Sequence, residues 1–274
     1  MHMRDTIAVY SLWRDSENHI KRTLSQLEDL ESLDYDFEYY FYENDSKDNT
    51  VSILEDWIKY RKGVFLHENL DAKKFGSVID AARMYLLSDC RNKCKKLGDH
   101  SKSKYSLLID SDIVFSKDNL ELHIQDIESL ANAVMVTPNV RQNIPDLIYG
   151  QSKDSYYDIL PLWDRFKSDS LAWSDCPFRN GIDKMNWGLG KPVKCLSAFG
   201  GFALIKSDIF NKVKWSTSGD SEHVNFCLDV SSLGDIYICP RNKVKTHVNV
   251  TDKDIELFSR ICINRLNSPR FINI

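Results

Sequence analysis

Two carboxylates flank a serine in Asp110-Ser111-Asp112, directly after the apolar run Tyr105-Ser106-Leu107-Leu108-Ile109. Like charges at the end of a buried strand are costly to hold together unless a cation or solvent compensates them. A hard divalent ion does so with carboxylate oxygens and leaves positions open for diphosphate oxygens. The alternative is an exposed turn in which Asp112 caps the next segment of chain, a pattern short enough to arise by chance. A second polar cluster, Glu43-Asn44-Asp45-Ser46-Lys47-Asp48-Asn49-Thr50, ends an aromatic, strand-like run at 37–42. Its Glu and Asn side chains are suited to hydrogen bonds with a nucleobase or ribose. Asp48 and Thr50 are accounted for as caps of the following helix, whereas Glu43, at the strand end itself, is the expected ligand contact. Further on, Asp220-Ser221-Glu222-His223 opens a helix, where an acidic residue is also ordinary dipole pairing. The pair Gly200-Gly201 relieves backbone crowding or lets an acceptor approach closely.

Composition limits what these groups can serve. The 274 residues carry 36 basic and 40 acidic side chains, a net charge of −4, a balance that gives no electrostatic reason to expect binding to a nucleic-acid backbone and leaves room only for a local basic patch. Only 11 glycines occur, and neither GxGxxG nor GxxxxGK[ST] is present, so a phosphorylated ligand must be held by something other than glycine-lined amides. Seven scattered cysteines without a CxxC pair predict buried reduced thiols and a cytosolic setting, a virus-encoded protein in a host cytoplasm included. No apolar run is long enough to span a membrane.

Short strands are expected at 6–12, 37–42, 64–66 and 105–109, alternating with helices at 20–33, 51–60 and 77–96. That alternation predicts an α/β fold, a mixed, mostly parallel sheet flanked by helices in a single domain spanning 1–274. The polar clusters after Leu12, Tyr42 and Ile109 then converge beyond the carboxyl ends of the strands. Beyond a strand at 134–137, an aromatic stretch with Tyr149, Tyr156, Trp163, Trp173, Phe178 and Trp187 shows little periodicity. Strands at 195–206, interrupted by the glycine pair, at 236–239 and at 244–250 come next, with a helix from about 220 to 230 and another at 251–266.

The sequence resembles glycosyltransferases of the GT-A (Rossmann-like) fold. The stretch at 42–50 looks like the V-D-D-x-S-x-D-x-T segment of that superfamily, and Asp110-Ser111-Asp112 like its DxD motif. A narrower likeness links Arg83, Arg91-Asn92, the segment 197–202, Ser221-Glu222 with Phe226-Cys227-Leu228-Asp229, and 240–247 to the fungal capsule-associated α-1,3-mannosyltransferase family. His223 stands where that family more often has cysteine. The resemblance implies a nucleotide-binding half at 1–115 and an acceptor-binding half at 116–274. It assigns Tyr10, Arg14, Glu43, Asp45, Arg83, Asp110 and Ser111 to the donor, and Asp110, Asp112 and His247 to Mn²⁺ or Mg²⁺. Glu222, or Asp220 in its place, becomes the general base of an inverting reaction, or the residue that positions the acceptor in a retaining one. Gly200, Gly201 and His223 fall to the acceptor. The expected activity is metal-dependent transfer of a hexose or related sugar from a nucleoside diphosphate donor to a hydroxyl of a glycan or glycoprotein. A sugar-phosphate nucleotidyltransferase shares the acidic site, but Tyr10-Ser11-Leu12-Trp13-Arg14 lacks its usual glycine loop. A noncatalytic carbohydrate-binding protein would need no base.

Overall fold

The computed structural model describes residues 4–75, 80–145, 152–158, 161–166, 174–217 and 221–246. Strand β1 (Thr6–Trp13) enters the core with five consecutive buried residues, and helix α1 (Ile20–Leu30) covers it with Ile20, Leu24, Leu27 and Leu30 at helical spacing. Strand β2 (Asp36–Asn44), helix α2 (Thr50–Ile58) and strand β3 (Gly63–Glu68) continue the alternation. The sequence favours Asp48 or Thr50 as the cap of α2. Asn49 holds the N-cap position instead, while Asp48 Oδ1 accepts the Thr50 N–H at 3.0 Å. Helix α3 (Ala81–Leu97) is capped by the Asp80 side chain, which accepts from the Ala82 and Arg83 N–H groups, and it ends with Lys95 and Lys96 in the last turn. It leads into strand β4 (Tyr105–Asp110), whose first five residues are buried.

These strands run parallel in the order β3-β2-β1-β4. Their register pairs Trp13 with Glu43, Glu43 with His67 and Leu12 with Asp110, so the strand ends that carry the polar residues finish level with one another.

After β4 come strand β5 (Ile113–Val114), helix α4 (Lys117–Ser129), strands β6 (Ala133–Pro145), β7 (Ser152–Tyr156) and β8 (Trp163–Asp164), and helix α5 (Gly181–Gly188). The glycine pair then separates β9 (Val193–Ser197) from β10 (Phe202–Lys206), before α6 (Ser207–Phe210), α7 (Glu222–Ser231) and β11 (Asp235–Thr246). The sheet continues from β4 through β10, β6, β11 and β9 to β8. On that path β10 and β9 run against the other strands, so the sheet is mixed with a mostly common direction. The strands expected at 236–239 and 244–250 form one strand as far as Thr246, with a register shift between Cys239 and Lys243. The helix expected at 251–266 lies outside the described residues, as do Tyr149 and Trp173. Within the aromatic stretch Tyr156 and Phe178 pack against Trp187 at 6.0 and 5.6 Å between centroids, which makes these rings core.

Helix α4 has no counterpart among the sequence expectations, and it places His123 at zero exposure against the sheet. The ring is held neutral from both sides. Its Nε2–H donates to the Phe202 carbonyl at 3.0 Å, and its Nδ1 accepts from Asn242 Nδ2 at 2.9 Å. Burial pushes its pKa down to about 4, against 6.5 for an ordinary histidine. The unfolded chain therefore takes up this proton first, so the stability tied to neutral His123 is complete above pH 6.5 and is lost as pH falls toward 4. Because the raised carboxyls of other residues titrate in the same range, the readout is the difference between wild type and His123→Gln in urea unfolding, in which the wild type is expected to lose about 2 kcal/mol relative to the variant between pH 7 and pH 5.

Candidate functional site

A cleft of about 460 Å³ opens beyond the carboxyl ends of β1 and β4. Four carboxylates (Asp110, Asp112, Asp158, Glu222) and four cations (Arg14, Lys74, Arg83, Arg91) line it, with Ser111, Gly200, Gly201 and His223 among them. Most of the residues singled out from the sequence thus meet in one place.

Asp110 ends β4, and its N–H donates to the Gly201 carbonyl at 2.9 Å. Both glycines take positive φ, +68° at Gly200 and +64° at Gly201, and a side chain at Gly201 would run into Ile113 and reach 3.3 Å from Asp110 Oδ2. The glycines therefore serve first to let two segments of the protein approach each other, and both still border the cleft. Ser111 is pinned from α1: Thr23 Oγ1 donates to its carbonyl at 2.7 Å, and the Ser16 hydroxyl lies 3.5 Å from its own. Burial, then the charge of Asp110, pushes the Asp112 carboxyl up to about 6. Thr246, at the end of β11, hydrogen-bonds Asp112, and it pairs with Ile113 across β5. His247 is the next residue in the chain and lies outside the described residues, as does Asp220.

Ser221 caps α7 by accepting the His223 N–H, and the first residue of that helix is Glu222, 4% exposed. Glu222 Oε1 accepts from Arg91 Nε at 3.3 Å and lies 3.3 Å from His223 Nε2. The His223 ring stacks on Phe199 at 3.7 Å between centroids. Its Nδ1 has no hydrogen-bond partner among the described residues. Burial, with Arg91 nearby, holds His223 well below the ordinary histidine range, so it is a neutral, packed ring rather than a projecting one.

Three residues assigned to the donor do not reach the cleft wall. Tyr10 lies two positions before Leu12, which does line the cleft, and is buried deeper in β1, packed against Tyr40 and Phe210 at 5.1 and 5.0 Å between centroids and filling the space beside Gly98. Glu43 has zero exposure: Oε1 accepts the Ser46 N–H at 2.8 Å, and Oε2 bonds Nδ1 of His67, its partner across β2 and β3. Asp45 accepts the Leu70, Asp71 and Ala72 N–H groups at 2.8, 2.9 and 3.2 Å. Burial alone would raise its pKa, but Asn44 and these backbone donors outweigh it and hold the carboxyl down. The loop it organises offers the Ala72 carbonyl to Arg14 Nη2 at 2.8 Å, so Asp45 bears on the cleft through Arg14.

Among the charged groups of the cleft, Lys74, Arg91 and Asp158 have no role assigned from the sequence. Arg91 is joined to Asp110 as well as to Glu222. Asp158 Oδ2 accepts the Gly200 N–H at 2.7 Å, and burial, then Asp110 and Glu222 against Gly200 and Arg91, pushes its carboxyl up to about 7. Arg91 carries a legible sign, as the companion of Asn92 in the capsule-family likeness. Asp158 carries none, sitting in a stretch without periodicity.

Two carboxylates at Asp110 and Asp112, the second raised first by burial and then by the charge of Asp110, form a hard oxygen set that fits a divalent cation with phosphate oxygens completing its shell. Among the described residues no group of three or more His, Cys, Asp or Glu side chains gathers as a complete protein cage.

The profile of the family described as Glycosyl transferase family 2 matches residues 14–213. Among curated proteins, none matches the chain. Solved structures share the fold. Residues 1–349 of TarS from S. aureus superpose with a TM-score of 0.52 at 13% identity, covering 97% of this chain and 67% of that one. The same protein in complex with UDP-GlcNAc gives 0.50 at 13% identity, covering 96% and 67%. The mannosyltransferase PcManGT from Pyrobaculum calidifontis, in complex with GDP-Man and Mn²⁺, gives 0.52 at 12% identity, covering 92% of this chain and 59% of that one.

Proposed function

Because the chain belongs to glycosyl transferase family 2, we propose that it moves a hexose or related sugar from a nucleoside diphosphate donor to a hydroxyl of a glycan or glycoprotein, with a divalent cation. The observation that carries this reading is the meeting of Asp110 and Asp112, at the end of β4, with Glu222, at the start of α7, in one cleft that Arg14, Lys74 and Arg83 also line. Those cations suit the diphosphate, with Ser111 beside it. The structural neighbours holding UDP-GlcNAc, or GDP-Man with Mn²⁺, support the donor class and the ion. The order of short motifs supports the narrower kinship with capsule-associated α-1,3-mannosyltransferases.

In this reading Asp112 and Asp110 hold the ion, and His247 joins them, supported by the hydrogen bond that brings the end of β11 to Asp112. A divalent ion bound there stabilises the negative charge of the departing diphosphate. Glu222, with Asp220 as its rival, takes the proton of the acceptor hydroxyl while that oxygen bonds the anomeric carbon and the bond to phosphate breaks. Gly200, Gly201 and His223 border the acceptor. Residues 1–115 serve the donor and 116–274 the acceptor, while Tyr10, Glu43 and Asp45 support the donor side from beneath. The six described cysteines are free thiols, which supports a reducing compartment such as the cytosol.

The test is a panel of nucleoside diphosphate sugars with and without Mn²⁺, reading nucleoside diphosphate release and product mass. Metal-dependent release with at least one donor is expected. Pyrophosphate released from a nucleoside triphosphate and a sugar phosphate would replace this reading with a nucleotidyltransferase.

A further inference from the structure

Arg91 touches both chemical ends of the cleft. Its Nη2 donates to Asp110 Oδ1 at 3.0 Å and its Nε to Glu222 Oε1 at 3.3 Å, with the side chain only 10% exposed. The guanidinium carbon lies 5.1 Å from the Phe199 ring centroid and 6.0 Å from that of Trp215. The next residue, Asn92, donates to the Trp215 carbonyl at 2.8 Å and accepts its N–H at 2.9 Å, which fixes one of those rings in place. Burial works against the charged form, but Asp110 and Glu222 outweigh it and keep the guanidinium positive. Arg91 is therefore a rigid cation already seated on a carboxylate that a divalent ion would use.

We propose that Arg91 is a positioning residue that makes metal loading depend on the donor, by holding Asp110 and Glu222 in one ion bridge until a diphosphate arrives. This rests on the reading of Asp110 and Asp112 as the ion's carboxylates. A divalent ion on Asp110 comes within a few ångströms of the guanidinium, where repulsion at an effective protein dielectric changes affinity at least about tenfold. The negative diphosphate offsets that repulsion, so ion and nucleotide bind better together than apart. Once Asp110 turns to the ion, Arg91 remains on Glu222 and keeps that carboxylate aimed into the cleft.

The test is calorimetry with Mn²⁺ alone and with Mn²⁺ in the presence of UDP or GDP, on the wild type, Arg91→Gln and Arg91→Lys. Arg91→Gln is expected to bind Mn²⁺ alone about tenfold more tightly. Its nucleotide-linked gain in Mn²⁺ affinity should shrink by a similar factor, while Arg91→Lys, which keeps the charge, stays near wild type. A purely structural role predicts the opposite sign, because a loosened site binds the ion less well. Mn²⁺ affinity in Arg91→Gln equal to or below wild type overturns the proposal, and so does the absence of Mn²⁺ binding in the wild type when UDP or GDP is present. Should Arg91→Gln fail to fold, the Arg91 Nε–H resonance of the wild type decides: a shift on adding Mg²⁺ with GDP or UDP larger than with Mg²⁺ alone supports it, and equal responses overturn it. None of these readouts needs turnover. Loss of the transferase reading therefore shows as no transfer with intact Mn²⁺ coupling, and loss of this proposal as transfer without the coupling.

Discussion

Asp112→Asn is expected to lower sugar transfer by about 10²- to 10³-fold, the size of effect seen when a group aimed at developing charge is removed. The change keeps volume and the capacity to accept the Thr246 hydrogen bond, so the surrounding strands β5 and β11 should hold their register. It removes one of two neighbouring negative charges, and with it the hard oxygen donor a divalent cation requires. Without metal, the variant should melt at the wild-type temperature or slightly above it, because the repulsion between positions 110 and 112 is relieved. With Mn²⁺ the wild type should gain thermal stability and the variant should not. The decisive pair of measurements is the Mn²⁺-dependent melting shift and kcat with the best donor. Full activity together with an undiminished melting shift would remove Asp112 from the metal site.

Glu222→Gln is expected to lower kcat by about 10²- to 10⁴-fold, the span attributed to a positioned general base, while the donor KM changes less than about threefold. Gln still accepts from Arg91 through its carbonyl oxygen, and the Phe199 stack is made by His223 rather than by residue 222, so the helix start and that stack survive the change. What it cannot do is take a proton. The split between kcat and KM separates chemistry from packing, since a collapsed site would lose donor affinity as well. Unchanged turnover would take Glu222 out of the reaction and move attention to Asp220. A variant with rising donor KM and falling Tm would show a structural side chain only.

The acidic pair at 110–112 and its place at a strand end were legible because they depend on local rules. An apolar run of strand length fixes where β4 stops, and parallel strands present their carboxyl ends together. The same rules located β1 to β3, the helices between them, the glycine break before β10 and the start of α7 within a few residues. Helix α4 escaped them despite its buried Leu120, Ile124 and Ile127 at helical spacing, since polar residues dominate that stretch.

Partner choice was not legible. Glu43 and Asp45 sit at the expected strand end, yet one is consumed by His67 on the neighbouring strand and the other by the backbone of residues 70–72, because their nearest donors are protein groups. Tyr10 was placed on the right strand, but it lies one step deeper than Leu12 on the same face, packed against Tyr40 and Phe210, and only the packed sheet shows where along β1 the cleft begins.

Sequence by itself thus determined the α/β class, the glycosyltransferase kinship and the placing of an acidic pair at the end of β4, since each depends on residue types within a short window. Only the tertiary structure decided that Arg91 bridges Asp110 to Glu222, that Asp158 stands beside them, and that the end of β11 reaches Asp112. Arg91 and Glu222 are 131 residues apart in the chain. Contacts at that separation exist because the sheet pairs β4 with β10 and α7 packs on β9 and β11 and against α3, and no local pattern of residues encodes them.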